Sequence, residues 1–382
     1  MLFLTRCFGV TGSDYDRNLS AEQACTKEIV EQVLRLQAKA ADQDNRPLGR
    51  GTHAKGVTAR AQFDVFDVNG GRDSALAARL AQGIFGRPGS YPATVRFANS
   101  DSRVHSDFKP DVRSLSFSVD LDRNSTAVAG VNAGRQDFSL QNAATLPIND
   151  PRAFLATMKL LTASNPLAGL WSLPFSDKLR VLRTLVLAKL QARQTIKPYQ
   201  QLRYWSTVPF RHGPVDVVKY SATPSSDNPA RPLRRSNPNG LQDELIRHLD
   251  EDRKMSSFDF GIQILDIGRM TYWSKRQDAN FWIENASVAW NEAEAPFHTV
   301  ARLTLLSKSQ LGQEAAEATY FDVTENSTPD STPLGGINRA RRSGEVASRR
   351  ARMRGDSKML WALHSNEFFR KLLTQTEEIT HE

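Results

Sequence analysis

The densest group of chemically capable side chains lies in one basic stretch near the end of the 382-residue chain. Between residues 339 and 354 there are seven arginines and one acid, Glu345. This stretch contains no proline and follows a pair of glycines, which predicts a helix. Four polar residues then share one helix face because they are spaced four, three and four apart: Arg341, Glu345, Ser348 and Arg352. A lone carboxylate in such a field is expected to be ionised and hydrogen-bonded.

Small side chains form a neighbouring stripe on the same helix: Ala340, Gly344, Ala347 and Ala351. Such a stripe lets something flat or bulky approach the helix closely. The alternative interpretation is a solvated basic helix with an internal ion pair between Arg341 and Glu345, which is what most charge runs are. The residues of this helix leave both interpretations open.

A second group of chemically capable residues precedes the first predicted strand. Residues 50–56 read Arg-Gly-Thr-His-Ala-Lys-Gly and lead into a strand-like run over residues 61–67. The guanidinium of Arg50 offers a fixed fork to a carboxylate, and the imidazole of His53 can accept and return a proton. A single histidine before a strand is more often structural, so the role of His53 has to be judged from the residues around it.

Alternating apolar and polar residues predict two further strands that carry or lead to polar residues of interest. Residues 91–100 alternate as a strand that contains Arg96. Another strand is predicted over residues 137–140 and leads to Asn142, which by itself is better explained as a turn residue. These elements must bring Arg96 and Asn142 towards His53 if the residues act together.

Helices are predicted in three further regions. Residues 151–199 read as helices, because Asp150 and Pro151 form a start signal and apolar residues recur at helical spacing. An N-terminal helix has an apolar face through about residue 40, and residues 359–373 form a last amphipathic helix. Helices and strands thus occur in separate blocks rather than in regular alternation.

Five segments resemble, in order, motifs of the catalase-like haem proteins, including the small-catalase branch of hydroperoxide-processing enzymes. They cover residues 50–56, 91–100, 111–119, 142–150 and 333–352. The resemblance implies an α+β fold, with a closed antiparallel β-barrel and with inserted and C-terminal flanking helices. We therefore expect three regions: an N-terminal helical arm over 1–44, a barrel core over 45–325 that contains the helical insertion 151–199, and the proximal and C-terminal helices over 326–382, packed on the barrel.

The same resemblance implies haem b as cofactor and a role for each site residue. His53 would be the distal base, and Asn142 would be the distal amide that orients a peroxide. The haem propionates would be held by three arginines: Arg50, Arg96 and Arg352. Arg341 would hydrogen-bond the axial ligand of the iron and tune it.

The axial position itself departs from the family, because Glu345 stands where a tyrosine phenolate binds the iron. Three outcomes are open. The carboxylate, a hard anionic oxygen donor, could replace the phenolate on ferric iron. The iron could instead be water-bridged or five-coordinate, or Glu345 could close a salt bridge to Arg341 so that haem is not held.

Other departures concern the distal side. Ala98 replaces a serine that supports the distal histidine in the family, and Ser100 could substitute for it. Leu146 and Pro147 replace two phenylalanines, so the access channel should have a different shape.

Composition limits the classes of protein to consider. Hydrophobic residues make up 40% and charged residues 24% of the chain, as in ordinary globular proteins. No apolar run approaches the ~20 residues that span a bilayer, and two cysteines are too few for a disulfide framework or a zinc site, so a reducing, cytoplasmic compartment is expected. The net charge of +8 is concentrated in the C-terminal basic helix, which lacks interleaved aromatic residues, so nucleic acid is not an expected partner.

The sequence therefore predicts a haem-dependent oxidoreductase that processes hydrogen peroxide or an organic hydroperoxide. Because phenolate donation is absent, a peroxidase-, isomerase- or dehydratase-like reaction on a small organic substrate is favoured over true catalase activity. The alternative is a haem-free protein that uses the barrel for binding or assembly. Assembly into a homo-oligomer is left open by the sequence.

Overall fold

The computed structural model describes residues 19–70, 72–121, 134–225 and 228–353. The amphipathic helix predicted over residues 359–373 lies outside the described residues. Among the described helices, none is both long enough and apolar enough to cross a bilayer.

Strands in the described residues form a closed antiparallel barrel. In chain order they are β1 (Gly56–Val65), β2 (Gly89–Asn99), β3 (Arg113–Asp120), β4 (Arg135–Gln141), β5 (Tyr204–Trp205), β6 (Phe210–His212), β7 (Asp216–Pro224), β8 (Ser256–Ile264), β9 (Thr271–Tyr272), β10 (Lys275–Arg276) and β11 (Phe297–Gln310). The order around the barrel is β5-β4-β3-β2-β1-β11-β8-β7, and the pairing of β5 with β7 closes the ring. Strand β6 pairs with β7, and β9 and β10 form a separate hairpin. The predicted closed antiparallel barrel is confirmed.

Aromatic side chains fill the interior of the barrel. Alternate residues of each strand point inward, and four buried phenylalanines meet there: Phe63, Phe117, Phe138 and Phe260. The ring centroids of Phe117 and Phe138 are 4.7 Å apart, and those of Phe63 and Phe260 are 5.4 Å apart. The interior is therefore the main hydrophobic core.

The outer face of the same strands carries a polar row. Arg96 on β2 is in register with Thr58 on β1 and Ser116 on β3, and Ser116 is in register with Ser139 on β4. The neighbouring Phe97 is fully buried in the core. Since successive side chains of a strand point to opposite faces, Arg96 and its row lie outside the barrel.

Helices flank the barrel in the described part of the chain. They are α1 (Leu19–Gln43), α2 (Ser74–Leu80), α3 (Pro151–Thr162), α4 (Pro166–Ser172), α5 (Phe175–Ala192), α6 (Gly240–Ile246), α7 (Ala279–Glu284), α8 (Gln313–Ala318) and α9 (Gly336–Met353). Short 3₁₀ segments span Gly83–Gly86, Tyr199–Gln201 and Pro329–Ser331, and a π-helical segment spans Arg247–Glu251. Helices α3, α4 and α5 fall within the predicted insertion, and Asp150 caps α3 by accepting a hydrogen bond from the Ala153 N–H at 2.8 Å.

Helix α1 packs on α9 along the stripe of small residues. Val30 and Leu34 of α1 are buried against Ala347 and Ala351 of α9. A Cβ at Gly344 would lie 3.5 Å from Val33, an ordinary contact distance. The small residues of α9 are therefore covered by a helix of this chain and not by a bulky ligand. The polar face of α9 is turned towards the barrel.

Candidate functional site

A cavity of about 370 Å³ lies between the outer face of the barrel and helices α1 and α9. Six of the seven site residues predicted from the sequence border it: Arg50, His53, Arg96, Arg341, Glu345 and Arg352. Its volume falls within the range of small-molecule and cofactor pockets, roughly 300–1,000 Å³. Residues that are far apart in the chain are therefore brought to one concave site.

Glu345 lies on the helix wall of the cavity and pairs with Arg341 of the same helix. The Glu345 Oε1 accepts a hydrogen bond from Arg341 Nε at 2.7 Å, and the Arg341 Nη2 lies 2.6 Å from the same oxygen in an ion pair. The second oxygen, Oε2, is buried and has no hydrogen-bond partner among the described residues. One half of the carboxyl group is satisfied and the other half is not.

The protonation of Glu345 differs from the expectation. Burial raises the pKa of its carboxyl to about 7, although the nearby Arg341 guanidinium lowers it. The side chain keeps a 30% exposed fraction where it borders the cavity, although its Oε2 atom is buried. Both protonation states are therefore populated near neutral pH, and the expected full ionisation was wrong because it counted charges and not desolvation.

Three arginines form a buried cluster of positive charge beside this pair. The Arg50 Nη2 donates to the carbonyls of Ala316 and Thr319 at 2.9 and 2.7 Å, while its Nε is buried without a partner in the described part of the chain. Arg352 lies 3.5 Å from the half-exposed carboxylate of Glu317. The positive charge in this cluster exceeds the negative charge that the described residues supply to it.

Arg96 is the least satisfied of the three arginines. Its side chain is buried, with 6% exposure, and among the described residues no hydrogen bond or ion pair reaches its guanidinium. A Cβ at position 56 would lie 2.8 Å from the Arg96 Cζ, so only glycine leaves this guanidinium in place. Burial lowers the pKa of Arg50 to about 9 and that of Arg96 to about 10, and neighbouring arginines add to both effects. The cluster is thus suited to a ligand that carries carboxylates.

His53 lies where the chain enters the first strand, with a left-handed backbone (φ 58°) that non-glycine residues rarely adopt. Its backbone N–H donates to the Ser100 carbonyl at 3.3 Å, and its Nδ1 lies 3.0 Å from the Thr52 Oγ1. Burial and then the cations of Arg96, Arg341 and Arg50 lower the pKa of His53 to about 3. The imidazole is therefore neutral at physiological pH.

The side chain that orients His53 is one that the sequence reasoning missed. Ser100, the proposed substitute for the absent serine, donates its hydroxyl hydrogen bond to Asp111 Oδ1 at 2.8 Å. Thr52 takes that place at the Nδ1 of His53. A hydroxyl immediately before the histidine was a usable signal, because neighbouring residues in a tight segment reach each other.

Asn142 is the predicted site residue that does not border the cavity. Its Oδ1 accepts the backbone N–H of Arg113 at 2.6 Å, and its Nδ2 donates to Gln194 Oε1 at 3.0 Å. The preceding residue, Gln141, borders the cavity instead. The distal role of Asn142 stays a prediction, and it requires the amide to leave these partners.

Two further residues of the cavity wall were not anticipated. Tyr320 and Arg349 both border the cavity, and the Arg349 guanidinium lies 4.4 Å from the centre of the Tyr320 ring. Arg349 also pairs with Glu325 at 2.6 Å. Because Arg349 follows Glu345 by four residues on one helix, its position was predictable, whereas that of Tyr320 depends on how a distant loop folds.

Metal ligation by side chains is limited in this structure. Among residues 19–70, 72–121, 134–225 and 228–353, no group of three or more histidine, cysteine, aspartate or glutamate side chains could hold a metal ion. A metal held at this site by Glu345 would need most of its ligands from a prosthetic group.

The fold resembles that of solved catalases. The crystal structure of a fungal catalase matches with a TM-score of 0.60 and 14% sequence identity, over 82% of this chain and 62% of that one. Catalase A from Saccharomyces cerevisiae matches with a TM-score of 0.60 and 15% identity, over 82% and 63% of the two chains. A bacterial catalase matches with a TM-score of 0.51 and 14% identity, over 82% and 59%.

The sequence itself gives no such match. No protein-family model matches the chain, and no curated protein matches it in sequence. The chain spans about three-fifths of the length of the catalases that it resembles in structure. At this level of identity the likeness shows that the chain adopts a catalase-like fold.

Proposed function

We propose that the cavity binds haem and that the protein processes hydrogen peroxide or an organic hydroperoxide. The observation that carries this proposal is the set of unsatisfied groups in one cavity. Arg96 is buried without a hydrogen bond or ion pair among the described residues. In the same cavity, the Arg50 Nε and one carboxyl oxygen of Glu345 are also without a partner in that part of the chain. Native proteins seldom leave such groups unpaired without a reason.

The residues present fit haem. Its two propionates would meet the three arginines of the cluster. Their carboxylates would pair with Arg96 and with the Arg50 Nε, which lacks a partner among the described residues. Glu345 would be the protein ligand of the iron, because an anionic carboxylate oxygen suits ferric iron. Arg341, which already donates to Glu345 Oε1, would withdraw charge from it.

Haem, when bound, supplies an iron centre that can change oxidation state and accept the oxygen of a peroxide. Every other contribution comes from the chain. The cavity partly shields the reacting groups from water between the barrel and two helices, which strengthens their mutual electrostatic interactions.

His53 would move the proton of the reaction. When its Nδ1–H donates to the Thr52 Oγ1, the Nε2 keeps a lone pair that can accept a proton from the peroxide hydroxyl. The low pKa of His53 keeps this base neutral at physiological pH. The same Nε2 would return the proton to the leaving oxygen, so that the imidazole ends as it began.

A second proposal is a haem-free protein that uses this cavity for binding or assembly. The observation that favours it is the closed ion pair of Arg341 and Glu345, in which one carboxylate oxygen lies 2.6–2.7 Å from two guanidinium nitrogens. The arginine cluster would then bind another carboxylate-bearing molecule. The small-molecule substrate, the oligomeric state and the cytoplasmic location remain predictions.

The test is the absorption spectrum of the protein purified from cells supplied with a haem precursor, with the haem quantified as pyridine haemochrome. We expect near-stoichiometric haem and a Soret band. In Glu345→Gln, which keeps an acceptor for Arg341 but loses the anionic oxygen, the spectrum of the ferric form should change. A wild-type protein without haem would reject the first proposal and favour the second.

A further inference from the structure

Helices α4 and α5 present an exposed apolar surface, here called the insertion face. Leu167, Trp171 and Phe175 are 69%, 76% and 75% exposed. Four more apolar residues continue along α5 with exposed fractions of 52–59%: Leu179, Leu182, Val186 and Leu190. From Phe175 onward they are spaced four, three, four and four apart, so they form one stripe on the outside of the helix.

The exposed stripe is distinct from a second, buried face by which α5 packs on the rest of the protein. Val181 is fully buried in a cluster with Ala156 and Leu160 of α3 and with Leu173. The helix therefore has two apolar faces, one in contact with the body and the other in contact with solvent. Large contiguous apolar patches are uncommon on proteins that stay free in solution and mark interaction sites.

The charges around the insertion face are almost all positive. Residues 165–197 contain six lysines and arginines, of which Arg180 is largely buried and pairs with Asp150 at 2.9 Å. The other five are at least partly exposed: Lys178, Arg183, Lys189, Arg193 and Lys197. The one acid of the segment, Asp177, is buried and pairs with Arg152 at 2.7 Å. The insertion face is thus bordered by positive charge with no exposed acid in its own segment.

Trp171 is held at the edge of this face. The Lys178 ammonium lies 5.0 Å from the centre of its indole ring. An exposed tryptophan beside a lysine, at the end of an apolar stripe, suits the boundary between lipid headgroups and acyl chains, where both the indole N–H and the ammonium can reach polar groups.

We propose that the insertion face docks on the surface of a bilayer that contains anionic phospholipids. The apolar stripe would enter the headgroup region while the lysines and arginines contact lipid phosphates. A second copy of the chain is a poorer occupant, because its insertion face carries the same positive charge. This docking does not depend on haem and would hold if the proposed function failed.

The experiment is co-sedimentation of the full-length protein with vesicles of phosphatidylcholine alone or mixed with phosphatidylglycerol. We expect binding to the mixed vesicles that weakens as salt increases. The double variant Trp171→Ser/Phe175→Ser should lower the partition coefficient about tenfold or more, and Lys189→Gln/Arg193→Gln should lower it about tenfold on anionic vesicles only. All four side chains are outside the core, so the variants should fold.

Trp273→Ser is the matched control, since Trp273 is 83% exposed but lies on the β9–β10 hairpin. This control should bind like the wild type. Equal loss in the control, or no binding of the wild type to anionic vesicles, would overturn the proposal. Self-association that disappears in the double variant would instead assign the face to a second copy.

Coverage by another segment of the chain is tested with Leu182→Cys, labelled by a maleimide and mapped by mass spectrometry. Rapid labelling without vesicles and slow labelling with them supports docking. Slow labelling without vesicles would mean that the chain covers its own insertion face, and the proposal would fail.

Discussion

Two ion pairs, Lys55–Asp107 and Arg341–Glu345, differ in how completely their polar atoms are hydrogen-bonded. Asp107 is fully buried, and its Oδ1 accepts a hydrogen bond from Asn99 Nδ2 and forms an ion pair with Lys55 Nζ, both at 2.8 Å. Its Oδ2 accepts the backbone N–H of Leu241 at 2.9 Å. Both oxygens of this carboxylate are therefore satisfied.

Lys55 is satisfied as well, because its ammonium also donates to the carbonyls of His105 and Pro238 at 3.0 and 2.7 Å. In contrast, one oxygen of Glu345 has no partner in the described part of the chain, and the nearby Arg96 has none either. A complete network connects the loops and strand ends around it and stabilises the barrel. The incomplete network borders a cavity, where the atoms of a ligand would complete it.

Breaking the complete network should have the largest effect on stability. Lys55→Met removes the cation and leaves the buried Asp107 with an uncompensated charge, so the free energy of unfolding should fall by roughly 3–5 kcal/mol. Urea denaturation followed by circular dichroism measures this change. Arg302→Met, which breaks an exposed pair with Asp259, is the control and should change stability by less than about 1 kcal/mol. Equal effects of the two variants would contradict the comparison.

Removing a charge from the incomplete network should instead raise the stability of the haem-free protein. Arg96→Leu deletes a buried cation that has no partner among the described residues, so the haem-free protein should gain roughly 1 kcal/mol of stability or more. At the same time, haem occupancy should fall about tenfold or more if the cluster holds propionates. Parallel denaturation and haem titration separate the two effects. A loss of several kcal/mol in the haem-free variant would show that Arg96 has a structural role.

The depressed pKa of His53 predicts a pH dependence of stability. Because the unfolded imidazole, with a pKa of 6.5, binds a proton that the folded one rejects until about pH 3, stability should fall as the pH drops through this window. His53→Asn removes this group and tolerates the left-handed backbone. Because solvent at the cavity screens this partly exposed group, the effect is reduced. At pH 4 the free energy of unfolding of the variant should exceed that of the wild type by about 2 kcal/mol.

The measurement for His53 is urea denaturation of the haem-free wild type and variant between pH 7 and 4. Parallel stability curves for the two proteins would mean that His53 does not carry the acid sensitivity. Arg302→Met, which changes an exposed side chain, is the control, and its dependence of stability on pH should follow that of the wild type.

The smallest effect on stability is expected at Thr52. Thr52→Val keeps the shape of the exposed side chain but removes the partner of His53 Nδ1, so stability should change by less than about 0.5 kcal/mol. If haem binds, peroxide turnover should fall about tenfold with unchanged haem content. Thr52→Ser restores the hydroxyl and should restore turnover; failure of this rescue would remove Thr52 from the orienting role.

The local geometry of the site was predictable because it depends on the period of each element. Helical spacing placed Arg341, Glu345 and Arg352 on one face of α9, and strand alternation set Arg96 against the buried Phe97. These periods are fixed by backbone geometry and need no distant contact. The closed barrel was predicted through the order of the resembling motifs and is confirmed.

The partner of each polar group was decided by the tertiary structure alone. Thr52 rather than Ser100 reaches His53, Gln194 takes the amide of Asn142, and α1 covers the small residues of α9. Hydrogen bonds are short-ranged and directional, so the partner of a polar group depends on which distant segments meet. Desolvation likewise depends on the whole surrounding structure, which is why the sequence indicated an ionised Glu345 and the folded chain raises its pKa to about 7.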